Sequence, residues 1–374
     1  MVNVLLPVID LWICRKITDI LIYLNFAPVT NSSHLEQTDF YKVRDLLTMP
    51  QNILLTTHTN PDGDAIGASL AFYRYLVRKG HQVSMLVPDP FPAFLAWLPG
   101  SEKILIFSRQ REQCLEAIAT ASLVFSLDYN DLNRLADAAV PVLRSTATKI
   151  VMDHHLYPAD HYDLKISVVE ISSTSELVFD FIQAMGDGIL MDQAIAEALY
   201  TGMVTDTGSF SYSCNHVKTY EVIAALFRFG IDGEHIHRLV YDTYSEHRLR
   251  LLGYSLSQKL VVLPHYHTAY IFLSATDLDR FQYQIGDTEG VVNYALSIEG
   301  INLAALFTER DNSIRISFRS KGNFSVEQLA RDHFDGGGHV NASGATSYVS
   351  LEETVEKFRE LLPAYREALS EVYS

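Results

Sequence analysis

Three side chains of ligand type fall within seven residues in His58-Thr59-Asn60-Pro61-Asp62-Gly63-Asp64, ahead of Ala65-Ile66-Gly67. Two carboxylates this close repel each other, so one must keep its proton or both must share a cation. A helix N-terminus beside Asp64 relieves a little of that repulsion; a divalent cation relieves more. An Asx-turn with an N-cap explains one of the aspartates, but not His58 together with both. Gly63 lets the backbone turn tightly between the carboxylates, and Gly67 with Ala65 and Ala68 lets a following helix pack closely. Further along stand Asp128 in Ser126-Leu127-Asp128-Tyr129-Asn130, the run Asp153-His154-His155, and Asp206 in Val204-Thr205-Asp206-Thr207-Gly208-Ser209-Phe210. Each of these alone reads as a turn or surface group. Together with the first cluster they offer four aspartates and two histidines, and no thiolate. That donor set suits Mn²⁺ or Mg²⁺ better than structural zinc, which stays an alternative. The Asp beside the paired histidines fits an outer partner, because a metal-bound imidazole needs an acceptor to fix its tautomer. Two cations about 3.5–4 Å apart can activate a bridging hydroxide and clamp both oxygens of an in-line displacement at phosphorus. Metal-dependent hydrolysis of a phosphoester is the chemistry to expect.

The elements that must position these loops alternate between strand and helix. Residues 36–48 read as a helix, 52–57 (NILLTT) as a buried strand, and 65–79 as a helix with Ile66, Leu70, Tyr73 and Val77 at 3.6-residue spacing. Strands follow at 82–87 and 103–107, a polar helix at 110–119, and strands at 123–127 and 149–152. This alternation predicts an α/β fold with a mainly parallel, Rossmann-like sheet flanked by helices. Ligands of such sheets collect at the carboxyl ends of the strands, where the loops after Thr57, Leu127 and Met152 all emerge. Helices are expected at 175–185, 192–203, 217–229 and 233–244. Ser173-Thr174-Ser175-Glu176 reads as a capping box at the first of them, in preference to a substrate contact. Past a connecting helix at 246–258, strands at 259–263, 267–274, 303–309 and 313–319 alternate with helices. The expected domains are an N-terminal extension (1–35), a catalytic domain (36–244), a linker helix (245–260) and a smaller C-terminal α/β domain with a mixed sheet (261–374).

In the second domain, Gly336-Gly337-Gly338-His339 exposes backbone N–H groups that can cradle an anion; the bland alternative is a flexible turn. His339 and Arg319, in Ile316-Ser317-Phe318-Arg319-Ser320, can add charge-assisted hydrogen bonds to phosphate, although Arg319 also reads as a solvated strand residue.

His58-x-x-x-Asp62-x-Asp64, Asp128, Asp153-His154-His155 and Thr205-Asp206-Thr207-Gly208 resemble the four signature motifs of the DHH phosphoesterases. Gly336-Gly337-Gly338-His339 with Asn341-Ala342-Ser343-Gly344 resembles the glycine-rich motif of the DHH-associated C-terminal domain, with Ser343 where relatives commonly carry alanine. The resemblance covers roughly residues 36–365. It implies one metal site at His58, Asp62 and Asp128, and a second at Asp64, Asp128, His154 and Asp206, bridged by Asp128. It implies that His155 faces the substrate phosphate and that Asp153 orients a histidine from behind. It also implies substrate binding by Arg319, Gly336, Gly337, Gly338 and His339, in a cleft between the domains. Size and two-domain layout are most similar to the bacterial NrnA-type branch, which degrades very short RNAs to mononucleotides and removes a phosphate from adenosine 3′,5′-bisphosphate. A cyclic-dinucleotide phosphodiesterase and a catalytically inactive nucleotide sensor are the competing readings.

Composition sets the outer limits. The chain has 374 residues, 48% hydrophobic and 20% charged, enough for two domains with cores of their own. A formal net charge of −16 disfavours tracking a long polyphosphate backbone, which relies on Lys and Arg displacing counterions. Short RNA oligonucleotides or small nucleotides are therefore the expected partners, not a long duplex. Cys14, Cys114 and Cys214 are scattered and show no C-x-x-C spacing, which suits a reducing cytoplasm. The apolar-rich stretch 2–26 is broken by Asp10, Arg15, Lys16 and Asp19 before reaching the roughly 20 apolar residues of a membrane span. It is read as a packed extension or an amphipathic helix, so no membrane partner is expected; a homodimer is compatible with the sequence.

Overall fold

A computed structural model describes residues 32–211, 213–242 and 244–371. The amphipathic-helix reading of 2–26 lies outside the described residues. The chain divides into two compact units, one ending at Asp242 and the other beginning at Thr243.

The first unit is built on β1 (Asn52–Thr56), β2 (Gln82–Val87), β3 (Ile104–Ile106), β4 (Leu123–Leu127), β5 (Thr148–Asp153) and β6 (Leu164–Ser167). All pair in parallel, in the order β3-β2-β1-β4-β5-β6. The strand order reverses between β1 and β4, the switch point where doubly wound sheets open a crevice. β1, β4 and β5 are neighbours, so the loops that follow them emerge side by side. Both faces of the sheet are covered, as its unbroken apolar strands require. Ile53, Leu55, Phe125, Ile150 and Met152 face one core, while Leu54, Val124 and Val151 alternate onto the other.

The first core is closed by α2 (Gly63–Arg78), α5 (Thr174–Ala184) and α6 (Gln193–Asp206), with Phe72 edge-on to both Phe125 and Phe181 and Tyr75 edge-on to Phe181. Each such ring contributes roughly 1.5–3 kcal/mol by leaving water. The second core is closed by α3 (Arg111–Thr120) and α4 (Ala139–Arg144), through residues such as Ile118 and Val142. Among the described residues this unit also has the α-helices α1 (Phe40–Leu46), α7 (Val217–Phe227) and α8 (Gly233–Tyr241). The helix expected over 36–48 divides into a 3₁₀ turn, Ser32–Gln37, and α1. The Thr38 hydroxyl donates to the Leu35 carbonyl there and ends the first turn. Strand β6 was absent from the sequence reading: Leu164-Lys165-Ile166-Ser167 is too short and too mixed to signal itself.

One close approach matters for the site. A Cβ on Gly67 of α2 would lie 2.4 Å from the Ala198 carbonyl of α6, and one on Gly202 of α6 would lie 2.0 Å from the Ser175 hydroxyl and 2.8 Å from Asp64 Oδ1. Glycine at both positions lets α2, α5 and α6 converge, which carries Asp206 at the end of α6 toward Asp64 at the start of α2.

The second unit holds β7 (Leu260–Leu263), β8 (Thr268–Leu273), β9 (Leu303–Arg310), β10 (Ser313–Ser320), β11 (Asp335–Gly338) and β12 (Ala342–Ser347), in the order β11-β12-β10-β9-β8-β7. Only β8 and β9 pair in parallel, so the sheet is mixed. One face packs on α12 (Val326–His333) and α13 (Leu351–Ser370), around Phe307, Phe318 and Phe358. The other packs on α9 (Glu246–Tyr254), α10 (Ala275–Arg280) and α11 (Val291–Leu296). The residues read as a linker helix thus include Leu251, fully buried in the core of this unit beside Ile271 and Leu306.

Candidate metal centre

Each predicted ligand of the first unit arrives from the carboxyl edge of the parallel sheet or from a helix end beside it. Past β1, His58 is buried, and its Nδ1 lies 2.8 Å from the Thr59 carbonyl, which turns Nε2 toward the carboxylates of the cluster. That Nε2 lies 3.5 Å from Asp128 Oδ2 and 4.0 Å from Asp62 Oδ1. Asp62 is also the N-cap of α2, its Oδ1 accepting from the Asp64 and Ala65 N–H groups at 3.1 Å. The turn reading and the ligand reading of this aspartate are therefore compatible.

Asp64, in the first turn of α2, is nearly inaccessible; its Oδ2 accepts from the Thr174 N–H at 2.7 Å and its Oδ1 from the Ser175 N–H at 2.8 Å. Both donors belong to the first turn of α5, whose positive end faces the carboxylate. Past β4, Asp128 sits at φ 66°, a left-handed conformation that turns the chain sharply. Past β5, His154 places Nδ1 3.5 Å from the Ile171 carbonyl and Nε2 3.5 Å from Asp128 Oδ1, 3.5 Å from Asp206 Oδ2 and 4.0 Å from Asp64 Oδ2. His155 Nδ1 meets Asp153 Oδ1 at 2.7 Å and lies 3.9 Å from Asp128 Oδ1. Asp153, the last residue of β5, is completely buried.

Within the first unit, three groups come together with donor atoms within 4.8 Å of one another: His58, Asp62 and Asp128; Asp64, His154 and Asp206; and Asp128, Asp153 and His155. Asp128 stands between the first two, one oxygen toward each histidine. The side chains of Asp62 and Asp206 keep 45% and 22% exposure and that of His155 17%, which marks the open side of the cluster.

The electrostatics show what the cluster lacks. Burial, then the charges of Asp128 and Asp206, push the Asp64 carboxyl well above its ordinary range. Burial pushes Asp206 up to about 7, the nearby His154 opposing the shift and Asp128 adding to it. Asp128 is held well below the ordinary range, because hydrogen bonds from His154 and His58 outweigh its burial. Those bonds, working against burial, raise both histidines, His154 strongly. In the bare protein, protons on carboxylates and imidazoles stand in for positive charge that the site is shaped to accept. The convergence of hard oxygen and imidazole donors fits divalent cations.

Thr174 and Ser175 went unrecognised as site residues in the sequence. The Thr174 hydroxyl donates to Asp128 Oδ1 at 3.0 Å, besides the N–H bond to Asp64. Their signal was the helix start itself, a set of unsatisfied N–H groups beside an acidic cluster. Ser173 is the N-cap as expected, accepting from the Glu176 N–H at 3.0 Å. The reciprocal bond of a capping box is replaced: Glu176 Oε2 accepts from the N–H and hydroxyl of Ser172 and from the Thr219 hydroxyl.

In the second unit, Gly336, Gly337 and Gly338 form the edge strand β11 and not a flexible turn. A Cβ on Gly336 would lie 2.4 Å from the Gly344 carbonyl, whereas Gly337 has open space. The register sets Gly338 opposite Ser343 and Arg319 opposite Ala342, so the glycines, His339 and Arg319 gather at one end of the sheet. The Ser343 hydroxyl donates to the His339 carbonyl at 2.8 Å and ties the turn that carries His339.

The family model for the DHH family N-terminal domain matches residues 52–203, and that for the DHHA1 domain matches residues 266–371. The bifunctional oligoribonuclease and PAP phosphatase NrnA of Thermus thermophilus is 29% identical over 85% of this chain and 90% of its own. Its namesake from Bacillus subtilis is 26% identical over 81% and 91%. Among solved structures, an exopolyphosphatase-related protein from Bacteroides fragilis superposes with a TM-score of 0.84, at 41% identity, over 92% of this chain and all of that one. No helix among the described residues is long and apolar enough to cross a membrane.

Proposed function

Because the chain belongs to the DHH family, we propose that it is a two-cation phosphoesterase that cuts very short oligoribonucleotides to mononucleotides and removes a phosphate from adenosine 3′,5′-bisphosphate. The observation that carries this reading is the meeting of His58, Asp62, Asp64, Asp128, His154 and Asp206 at one sheet edge. The names of the NrnA relatives support the choice of substrate. His58, Asp62 and Asp128 would hold one cation, and Asp64, Asp128, His154 and Asp206 the other. Mn²⁺ is favoured over Mg²⁺ by the two imidazoles among the donors. Bound cations supply the Lewis acidity that makes water a nucleophile near neutral pH and offsets charge on the phosphoryl oxygens.

The protein's own groups do the rest. Asp153 holds His155 by its Nδ1, which directs Nε2 toward a phosphoryl oxygen and lets it donate there as charge builds. Asp62 and Asp206, the more open ligands, leave the approach for the substrate. Arg319, the glycine strand and His339 grip the nucleotide through charge-assisted and backbone hydrogen bonds. The net charge of −16 restricts binding to substrates held at few points.

The test is a comparison of initial rates with Mn²⁺ on two- to five-nucleotide RNAs, adenosine 3′,5′-bisphosphate, cyclic dinucleotides and polyphosphate. Fastest turnover is expected on the short RNAs and the bisphosphate, abolished by a chelator. Exclusive turnover of cyclic dinucleotides or polyphosphate would overturn the substrate assignment, and no turnover of any phosphoester would overturn the enzyme reading.

A further inference from the structure

We infer that Thr174 is a positioning residue for the candidate cation ligands: its hydroxyl sets the rotation of the Asp128 carboxylate so that one oxygen faces His154 and the other His58. This rests on the two-cation reading above and names a residue outside the ligand set. A carboxylate turns readily about its terminal bond, which has broad, weakly defined preferences. A shared ligand must therefore be fixed from outside. Thr174 Oγ1 donates to Asp128 Oδ1 at 3.0 Å. The same Oδ1 lies 3.5 Å from His154 Nε2, while Oδ2 lies 3.5 Å from His58 Nε2. The hydrogen bond thus pins the carboxylate with one oxygen on the His154 side and the other on the His58 side, and an oxygen that accepts one bond keeps a lone pair for a cation.

Thr174 is itself held fast. It is fully buried, and its N–H donates to Asp64 Oδ2 at 2.7 Å, so one residue touches the shared ligand and a ligand of the second site. Its β-branched side chain has few rotamers in a helix. Glu176, tied to Ser172 and Thr219, braces the segment from behind. The hydroxyl does not serve as the helix cap: Ser173 accepts from the Glu176 N–H in that role, while the Thr174 hydroxyl donates to a carboxylate outside the helix. Outer partners of metal ligands are worth about 10–100-fold in metal affinity.

The test titrates Mn²⁺, without substrate, into metal-free wild type, Thr174→Val and Thr174→Ser, followed by calorimetry. Valine keeps the shape and the N–H bond to Asp64 and puts a methyl in place of the hydroxyl. The expected result is weaker binding of both Mn²⁺ ions in T174V, by about tenfold or more, with near wild-type affinity in T174S and little change in the melting temperature of either metal-free variant. Should T174V not fold, Thr174→Ala takes its place in the same comparison. Unchanged Mn²⁺ affinities in the variant lacking the hydroxyl would overturn the inference while leaving the two-cation reading intact. Wild type that binds no Mn²⁺ would overturn both.

Discussion

At Asp128 the chain holds a non-glycine residue at φ 66°, a conformation that costs on the order of 1–3 kcal/mol and persists only where the surroundings enforce it. Here they do so through His58, His154 and Thr174, which all address its two oxygens. Asp128→Asn keeps the shape and removes the charge that both cations would share in the proposed site. Mn²⁺ affinity should fall by about a hundredfold or more, and Mn²⁺-dependent hydrolysis should vanish, with the circular dichroism spectrum unchanged. Retained hydrolysis would place the shared ligand elsewhere. In the proposed function Arg319 contributes to substrate binding, apart from the cation ligands. A charge-assisted hydrogen bond is worth about 1.5–3 kcal/mol, so Arg319→Ala should raise KM for adenosine 3′,5′-bisphosphate by about tenfold or more while kcat stays near wild type. A fall in kcat at constant KM would assign Arg319 to the chemical step instead of to binding.

Among the elements, the crossing of α2, α5 and α6 decides whether Asp64 and Asp206 meet. Gly202→Ala puts a methyl 2.0 Å from the Ser175 hydroxyl and 2.8 Å from Asp64 Oδ1. Overpacking of this kind costs about 1–3 kcal/mol, so the melting temperature should drop measurably and Mn²⁺ affinity should drop with it. Loss of stability with intact Mn²⁺ binding would separate helix packing from ligand placement.

How far these elements were legible follows from the range of their signals. Asn52–Thr56 and Leu123–Leu127 announce themselves as short apolar runs, so the loops bearing His58 and Asp128 are placed at strand ends by the sequence pattern alone. The end of α6 at Asp206 was legible from an apolar helix meeting Thr207-Gly208. What stayed hidden depends on partners far along the chain. Strand β6 exists through its pairing with β5, the glycine triplet becomes a strand through β12, and the Thr174 hydroxyl finds Asp128 across 46 positions. Glu176 shows the same limit locally: the spacing fits a capping box, but the side chain turns to Ser172 and Thr219.

For the whole molecule, the balance of charge couples metal, protons and stability. In the metal-free protein Asp206 titrates near 7 and Asp64 is also raised, so the folded state binds protons at pH 5–6 that the unfolded chain has largely released. The raised His58 and His154 act with the same sign. Metal-free stability should therefore fall as pH rises through about 7, as the stabilising protons leave. Cations replace those protons, so Mn²⁺ should bind more tightly at pH 8 than at pH 6, releasing protons and raising the melting temperature more at the higher pH. Calorimetry in buffers of different ionisation enthalpy and paired thermal melts measure both effects. Equal Mn²⁺ affinity at the two values would mean that the cluster does not exchange protons for metal.

Anomalous scattering from crystals grown with Mn²⁺ reaches the central question most directly. Two peaks are expected about 3.5–4 Å apart, one bounded by His58, Asp62 and Asp128, the other by Asp64, Asp128, His154 and Asp206, with Asp128 touching both. A single peak, or manganese bound away from these side chains, would contradict it.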